Sequence, residues 1–91
     1  MQELLELRKA LDEIDDAIIG LVAKRFEVTE KVGILKKENN LPSTDSNREK
    51  EQAQRIRSLA LFHNLDPEIA QKVLRLLIDE TVKNHNKIKA R

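Results

Sequence analysis

Residues 4–35, LLELRKALDEIDDAIIGLVAKRFEVTEKVGIL, decide the fold. Within them Leu4, Leu7, Leu11, Ile14, Ile18 and Leu21, then Val28, Val32 and Leu35, recur at spacings built from threes and fours, the signature of one apolar helix face. No proline interrupts the run, and Gly20 and Gly33 each weaken a helix by only about 1 kcal/mol. The spacing predicts a single helix over roughly residues 3–37. Such a helix is ~50 Å long at ~1.5 Å per residue. A compact chain of this size has a radius of gyration near ~12 Å, so the helix must overhang its own domain. An apolar stripe along an overhang needs cover, and no proline or glycine pair breaks the helix to supply it. A second copy, paired about a two-fold axis with the long helices antiparallel, is the expected solution.

The rest of the chain reads as two further helices. Residues 38–45, ENNLPSTD, are polar, contain Pro42 and predict a loop. A second helix starts near Ser46, with Glu49 three residues on in capping-box spacing, and ends near residues 62–64. Its apolar face is Ala53, Ile56, Leu59 and Ala60. Asp66 caps a third helix that has Pro67 at its first position and runs to about Lys87, with Ile69, Val73, Leu76 and Leu77 on one side. The expectation is one all-α domain over residues 1–91: three helices per chain, one long and two shorter, forming an intertwined homodimeric bundle.

Composition agrees. Aromatic residues make up 2% of the chain and charged residues 36%, for a net charge of +1, so no broad basic field draws nucleic acid or an anionic membrane. There is no cysteine for a disulfide or a thiolate metal site. No apolar run is long enough to span a bilayer, and the N-terminus does not read as a secretory signal, so a cytoplasmic location is expected.

The informative residues are polar groups that interrupt the apolar lines. Leu4, Leu11, Ile18, Arg25 and Val32 share one heptad line, so Arg25 points where hydrocarbon is expected. It is a buried ion pair, a snorkelling side chain or a ligand for an anion. Lys36 lies eleven residues on, close to three turns, on nearly the same face. Arg8 edges the stripe about 25 Å from Arg25 along the axis. No small molecule touches both in one chain, but antiparallel pairing brings Arg8 of one copy towards Arg25 of the other; by itself Arg8 reads as a surface residue. On the third helix Thr81 and His85 break the line Leu74, Ile78, Ile88. A threonine so placed usually bonds back to its own helix, and a lone histidine is usually a satisfied, partly buried residue. Asp45, Arg48 and Glu49 cluster at the start of the second helix, where capping alone accounts for the two acids. Together these residues describe an apolar interior with several cations, a few donors and a carboxylate. There is no nucleophile triad, metal-ligand spacing or glycine-rich phosphate loop, so neither metal nor cofactor is expected.

The ordered set Leu7-Arg8-x-x-Leu11-Asp12-x-Ile14-Asp15, Arg25, Val32-Gly33-x-x-Lys36, Asp45-x-x-Arg48-Glu49 and Leu77-Ile78-Asp79-x-Thr81 resembles the AroQ-type, all-helical chorismate mutases. The likeness extends from about Leu4 to His85. It implies an interlocked three-helix dimer that converts chorismate to prephenate by a unimolecular Claisen rearrangement, feeding phenylalanine and tyrosine synthesis. It further implies that Arg25 and the partner copy's Arg8 bind the two carboxylates and that Lys36 donates to the ether oxygen. Glu49 and the Asp45 backbone take the ring hydroxyl, Thr81 contacts a carboxylate, and Arg48 supports the wall. The family commonly carries glutamine, sometimes glutamate, where this chain has His85, and that group also donates to the ether oxygen. Histidine can do so as imidazole or imidazolium, which implies a stronger pH dependence. Two other readings stay open: an isochorismate-pyruvate lyase on the same scaffold, and a non-catalytic dimerisation module in which Arg25 is paired internally.

Overall fold

A computed structural model describes residues 1–91 as three helices: α1 Gln2–Glu38, α2 Ser46–Phe62 and α3 Pro67–Lys89. α1 runs unbroken for 37 residues, and its length sets the 57 Å long axis of the molecule. The radius of gyration is 16.7 Å, well above the ~12 Å of a compact chain this size. α3 is the centre of the fold, packing against both α1 and α2, while α1 and α2 do not pack on each other. No helix is long and apolar enough to cross a membrane.

The helix ends follow local chemistry. The Asp66 carboxylate accepts from the Glu68 N–H at 2.9 Å, and Pro67 opens α3. α2 starts at Ser46 as expected, and Asp45 caps it: its side chain accepts from the Arg48 N–H at 3.1 Å. The capping box drawn between Ser46 and Glu49 is therefore corrected, because Ser46 is already inside the helix and Glu49 is free for other work. α1 and α2 both end in a turn that satisfies their last carbonyls. Leu41 N–H donates to Lys36 O and Leu65 N–H to Ala60 O, each at 2.8 Å. Asn40 and Asn64 take the left-handed conformation those turns need, at φ 55° and 56°.

Few side chains are buried. The core is Ala60, Ala70, Leu74, Ile78 and Ile88, with His85 among them. The face of α3 that packs inward is thus the line containing His85; Ile69, Val73 and Leu76, grouped from sequence as an apolar side, remain about half exposed. Gly33 is the one buried residue of α1. From Met1 to Leu21 every residue of α1 is exposed, including the whole N-terminal part of the apolar stripe. Half-burying each of those leucines and isoleucines is worth on the order of 1 kcal/mol, and this chain leaves that stabilisation unused.

Candidate active site

The C-terminal half of α1, the α1–α2 loop, the first turns of α2 and the C-terminal half of α3 enclose a cavity of about 280 Å³. Arg25, Lys36, Asp45, Arg48, Glu49, Thr81 and His85 all line it. The structure therefore brings together every residue singled out in the sequence except Arg8, which stands ~25 Å away on the same unbroken helix.

Arg25 is half-buried, and its Nη1 is fully buried with no hydrogen-bond partner. It joins none of the salt bridges in the chain. Burial, and after it the neighbouring charge of Arg48, pushes its pKa below the ordinary arginine value. An ion pair within the chain is thereby ruled out as the reason for a charge on the apolar line, and with it the premise of a non-catalytic module. A donor buried without a partner costs about 1–3 kcal/mol, towards the low end here because the rest of the guanidinium reaches solvent, so the arrangement is suited to receiving an anion.

The turn after α1 folds the loop back over Lys36, whose ammonium donates to Ser43 O at 3.2 Å and keeps two N–H groups for other acceptors. Both acids of the cavity are engaged elsewhere. Asp45 Oδ1 is held by the Arg48 N–H, although the Asp45 backbone N–H makes no bond. Glu49 Oε1 is held by Arg75 at 2.9 Å, and Oε2 makes no hydrogen bond. Arg25 and Lys36 consequently face the cavity without a carboxylate partner, while Arg48 pairs with Glu51, outside the cavity, at 3.6 Å.

On α3, Thr81 donates to Leu77 O at 2.7 Å, so its hydroxyl hydrogen is spent within its own helix and only its lone pairs are free. His85 is 2% exposed. Its Nε2 lies 2.8 Å from the carbonyl of Thr29, so that nitrogen carries hydrogen and donates. Nδ1 is buried and unpartnered; in the neutral ring it is an acceptor only. In this pose a donor role for His85 requires the imidazolium, which narrows the two forms considered from sequence to one. Gly33 makes the pose possible, since a β-carbon there would lie 2.6 Å from His85 Cδ2.

A second, more apolar cavity of about 630 Å³ adjoins the first and shares Arg25, Arg48 and Gln52 with it. Leu59, Leu65, Val73 and Leu77 form much of its wall. Gln52, which lines both, was missed in the sequence; its place one turn after Arg48 on the same helix face is the signal that marks it.

Residues 7–86 match the family described as chorismate mutase type II. The chain is 38% identical over 87 residues to the chorismate mutase of Methanocaldococcus jannaschii, covering 96% of this chain and 83% of the relative. It is 30% identical over 79 residues to the bifunctional chorismate mutase/prephenate dehydratase of Escherichia coli K12, covering 87% of this chain and 20% of that protein. A bifunctional protein of the same description from Buchnera aphidicola of Acyrthosiphon pisum is 33% identical over 85 residues, covering 93% of this chain and 22% of its own length.

Proposed function

The chain belongs to the chorismate mutase type II family and is an isomerase that turns chorismate into prephenate; from that premise we propose that it works as a homodimer whose sites are completed by Arg8 of the partner copy. The reaction is unimolecular: the ether C–O bond breaks, a C–C bond forms, and no proton, metal or covalent intermediate is needed. The enzyme's task is to fold the enolpyruvyl arm over the ring and to stabilise the charge that gathers on the ether oxygen.

The observation that carries the assignment of residues is the unpartnered, buried Arg25 guanidinium, with Arg48 beside it and Lys36 on the wall of the same cavity. Arg25 and the incoming Arg8 bind the two carboxylates, and Arg48 supports the wall. Lys36, with two N–H groups free, donates to the ether oxygen. Glu49 Oε2 and the Asp45 N–H take the ring hydroxyl as acceptor and donor. Thr81 contacts a carboxylate if its hydroxyl turns away from Leu77 O, and His85 adds a second donor to the ether oxygen only when protonated.

The exposed stripe of α1 supports the dimer, because a second copy covers it and brings its own N-terminal half against the apolar cavity that opens beside Arg25. In the proposed setting the reaction runs in the cytoplasm and feeds phenylalanine and tyrosine synthesis.

Subunit complementation tests the shared site. Arg8→Ala and Arg25→Ala homodimers should each be nearly inactive. Unfolded and refolded together, half the dimers are mixed and carry one intact site of two, so about a quarter of wild-type activity should return. Activity is followed as loss of chorismate absorbance, with isochorismate assayed alongside to test the lyase reaction. Mixtures as dead as their parents would sink the shared site.

A further inference from the structure

Beyond the residues that line the cavity, the geometry points to Arg75 as a positioning residue that holds the Glu49 carboxylate in place and keeps it from neutralising the cationic site. This rests on the role given to Glu49 above.

Arg75 lies on α3, outside the substrate cavity. Its Nη2 donates to Glu49 Oε1 at 2.9 Å and its Nε to Asp79 Oδ1 at 2.9 Å. Asp79 is one turn further along the same helix, so it fixes the plane of the guanidinium from behind while the other edge grips Glu49. Only one oxygen of Glu49 is used. Oε2 remains without a partner on a side chain that is 24% exposed and lines the cavity.

A glutamate has three rotatable bonds and sits here at the wall of a cavity that also contains Arg25, Lys36 and Arg48. Released from Arg75, its carboxylate would be drawn to whichever of those cations it could reach, closing an internal ion pair where the substrate dianion belongs. A cation outside the cavity opposes this by already holding Glu49 at hydrogen-bond distance, 2.9 Å. The result is a hydroxyl acceptor with one free oxygen and a cationic cage that keeps its charge.

Helix register has other means of support. One turn earlier on the same face of α3, Gln71 donates to Ala53 O at 2.9 Å, and Leu74 and Ile78 are buried between the helices. Arg75 and Asp79 are more than half exposed, and ion pairs so placed add little to stability. The consequence of losing Arg75 therefore falls on Glu49.

The test is a double-mutant cycle on the full chain, reading KM and kcat with chorismate and thermal midpoints by circular dichroism. Arg75→Ala should raise KM about five-fold, the scale of one well-formed ion pair, with the midpoint almost unchanged and kcat within about two-fold. Arg75→Lys should recover part of the loss. In a Glu49→Gln background, Arg75→Ala should have no further effect on KM. Gln71→Ala, as the structural control, should lower the midpoint and leave KM alone. If Glu49→Gln is itself silent, the hydroxyl-binding role of Glu49 falls and the inference with it. If Glu49→Gln raises KM but Arg75→Ala does not, or multiplies with it in the double variant, Glu49 keeps its role and the inference about Arg75 is overturned.

Discussion

Replacing Gly33 by alanine tests the contact on which the His85 side of the site depends. A β-carbon built there lies 2.6 Å from His85 Cδ2, 2.7 Å from Ile88 Cδ1 and 3.1 Å from His85 Nε2. Both neighbours are almost wholly buried, at 2% and 1% exposure, so neither can swing into solvent to make room. Overpacking of this kind costs about 1–3 kcal/mol. Displacing the imidazole also loses the Nε2–H bond to Thr29 O, worth about 1 kcal/mol. Alanine returns about 1 kcal/mol in helix propensity. The net is a loss of about 2 kcal/mol, or a fall in melting temperature of roughly 10 °C for a domain this small. Wild type and variant must be compared at one chain concentration, since an associating protein melts higher when concentrated. Gly20→Ala isolates the propensity gain, because a β-carbon at Gly20 meets nothing within 4 Å in the chain. Circular dichroism melts measure stability, and kcat/KM should fall with it as α3 is pushed off α1. A Gly33→Ala protein that melts at or above wild type would refute the reasoning.

Arg25→Met should raise stability by about 1 kcal/mol, because a charge held without a partner is replaced by a side chain suited to burial. The same change should lower kcat/KM at least a hundredfold; a less stable variant would show that the guanidinium supports the fold. The depressed pKa of Arg25 makes the folded state bind its proton more weakly than the unfolded chain, so the penalty is full at low and neutral pH and fades only as pH rises through the folded value. The stability gain should therefore be equal at roughly pH 6 and pH 8. For His85 the donor role needs the imidazolium among Arg25 and Lys36 of α1, Arg48 and Glu49 of α2, and the Asn84–Glu30 pair beside it. His85→Leu, which offers no polar group to the cavity, should lower kcat/KM, and His85→Gln, whose amide donates without protonation, should match or exceed wild type; a His85→Leu enzyme as active as wild type would remove His85 from the chemistry. Finally, sedimentation should give twice the 10.5 kDa chain mass, and Ile14→Asp should yield inactive monomers.

Much of this was legible in the sequence, and what was not has definable reasons. The continuity of α1 followed from a periodic stripe with no breaker, and its overhang from length alone. The start of α2 at Ser46 was legible, but its cap was not, because Asp45 and Ser46 are nearly equal as caps and only the bond to the Arg48 N–H decides between them. α3 carries two apolar lines, and periodicity cannot tell which one a helix turns towards its own chain. The structure gives that place to the line of Leu74, Ile78 and His85. Arg75 was invisible for another reason: with Asp79 four residues on it reads as an ordinary surface pair, and its second partner is 26 residues back. The acceptor for His85 lies 56 residues away, so no local pattern could have indicated which ring nitrogen was free.

The unbroken course of α1 also makes it a single point of failure. Arg25 and Lys36 stand in one half of the rod and Arg8 near the other end, so in the proposed dimer each rod is a lever shared by two sites. Ala17 lies between these ends, exposed and outside the substrate cavity. A proline there should bend the rod near its middle, swing Arg8 out of one site of the proposed dimer and tilt Arg25 in the other, silencing both from a position outside the cavity of its own chain.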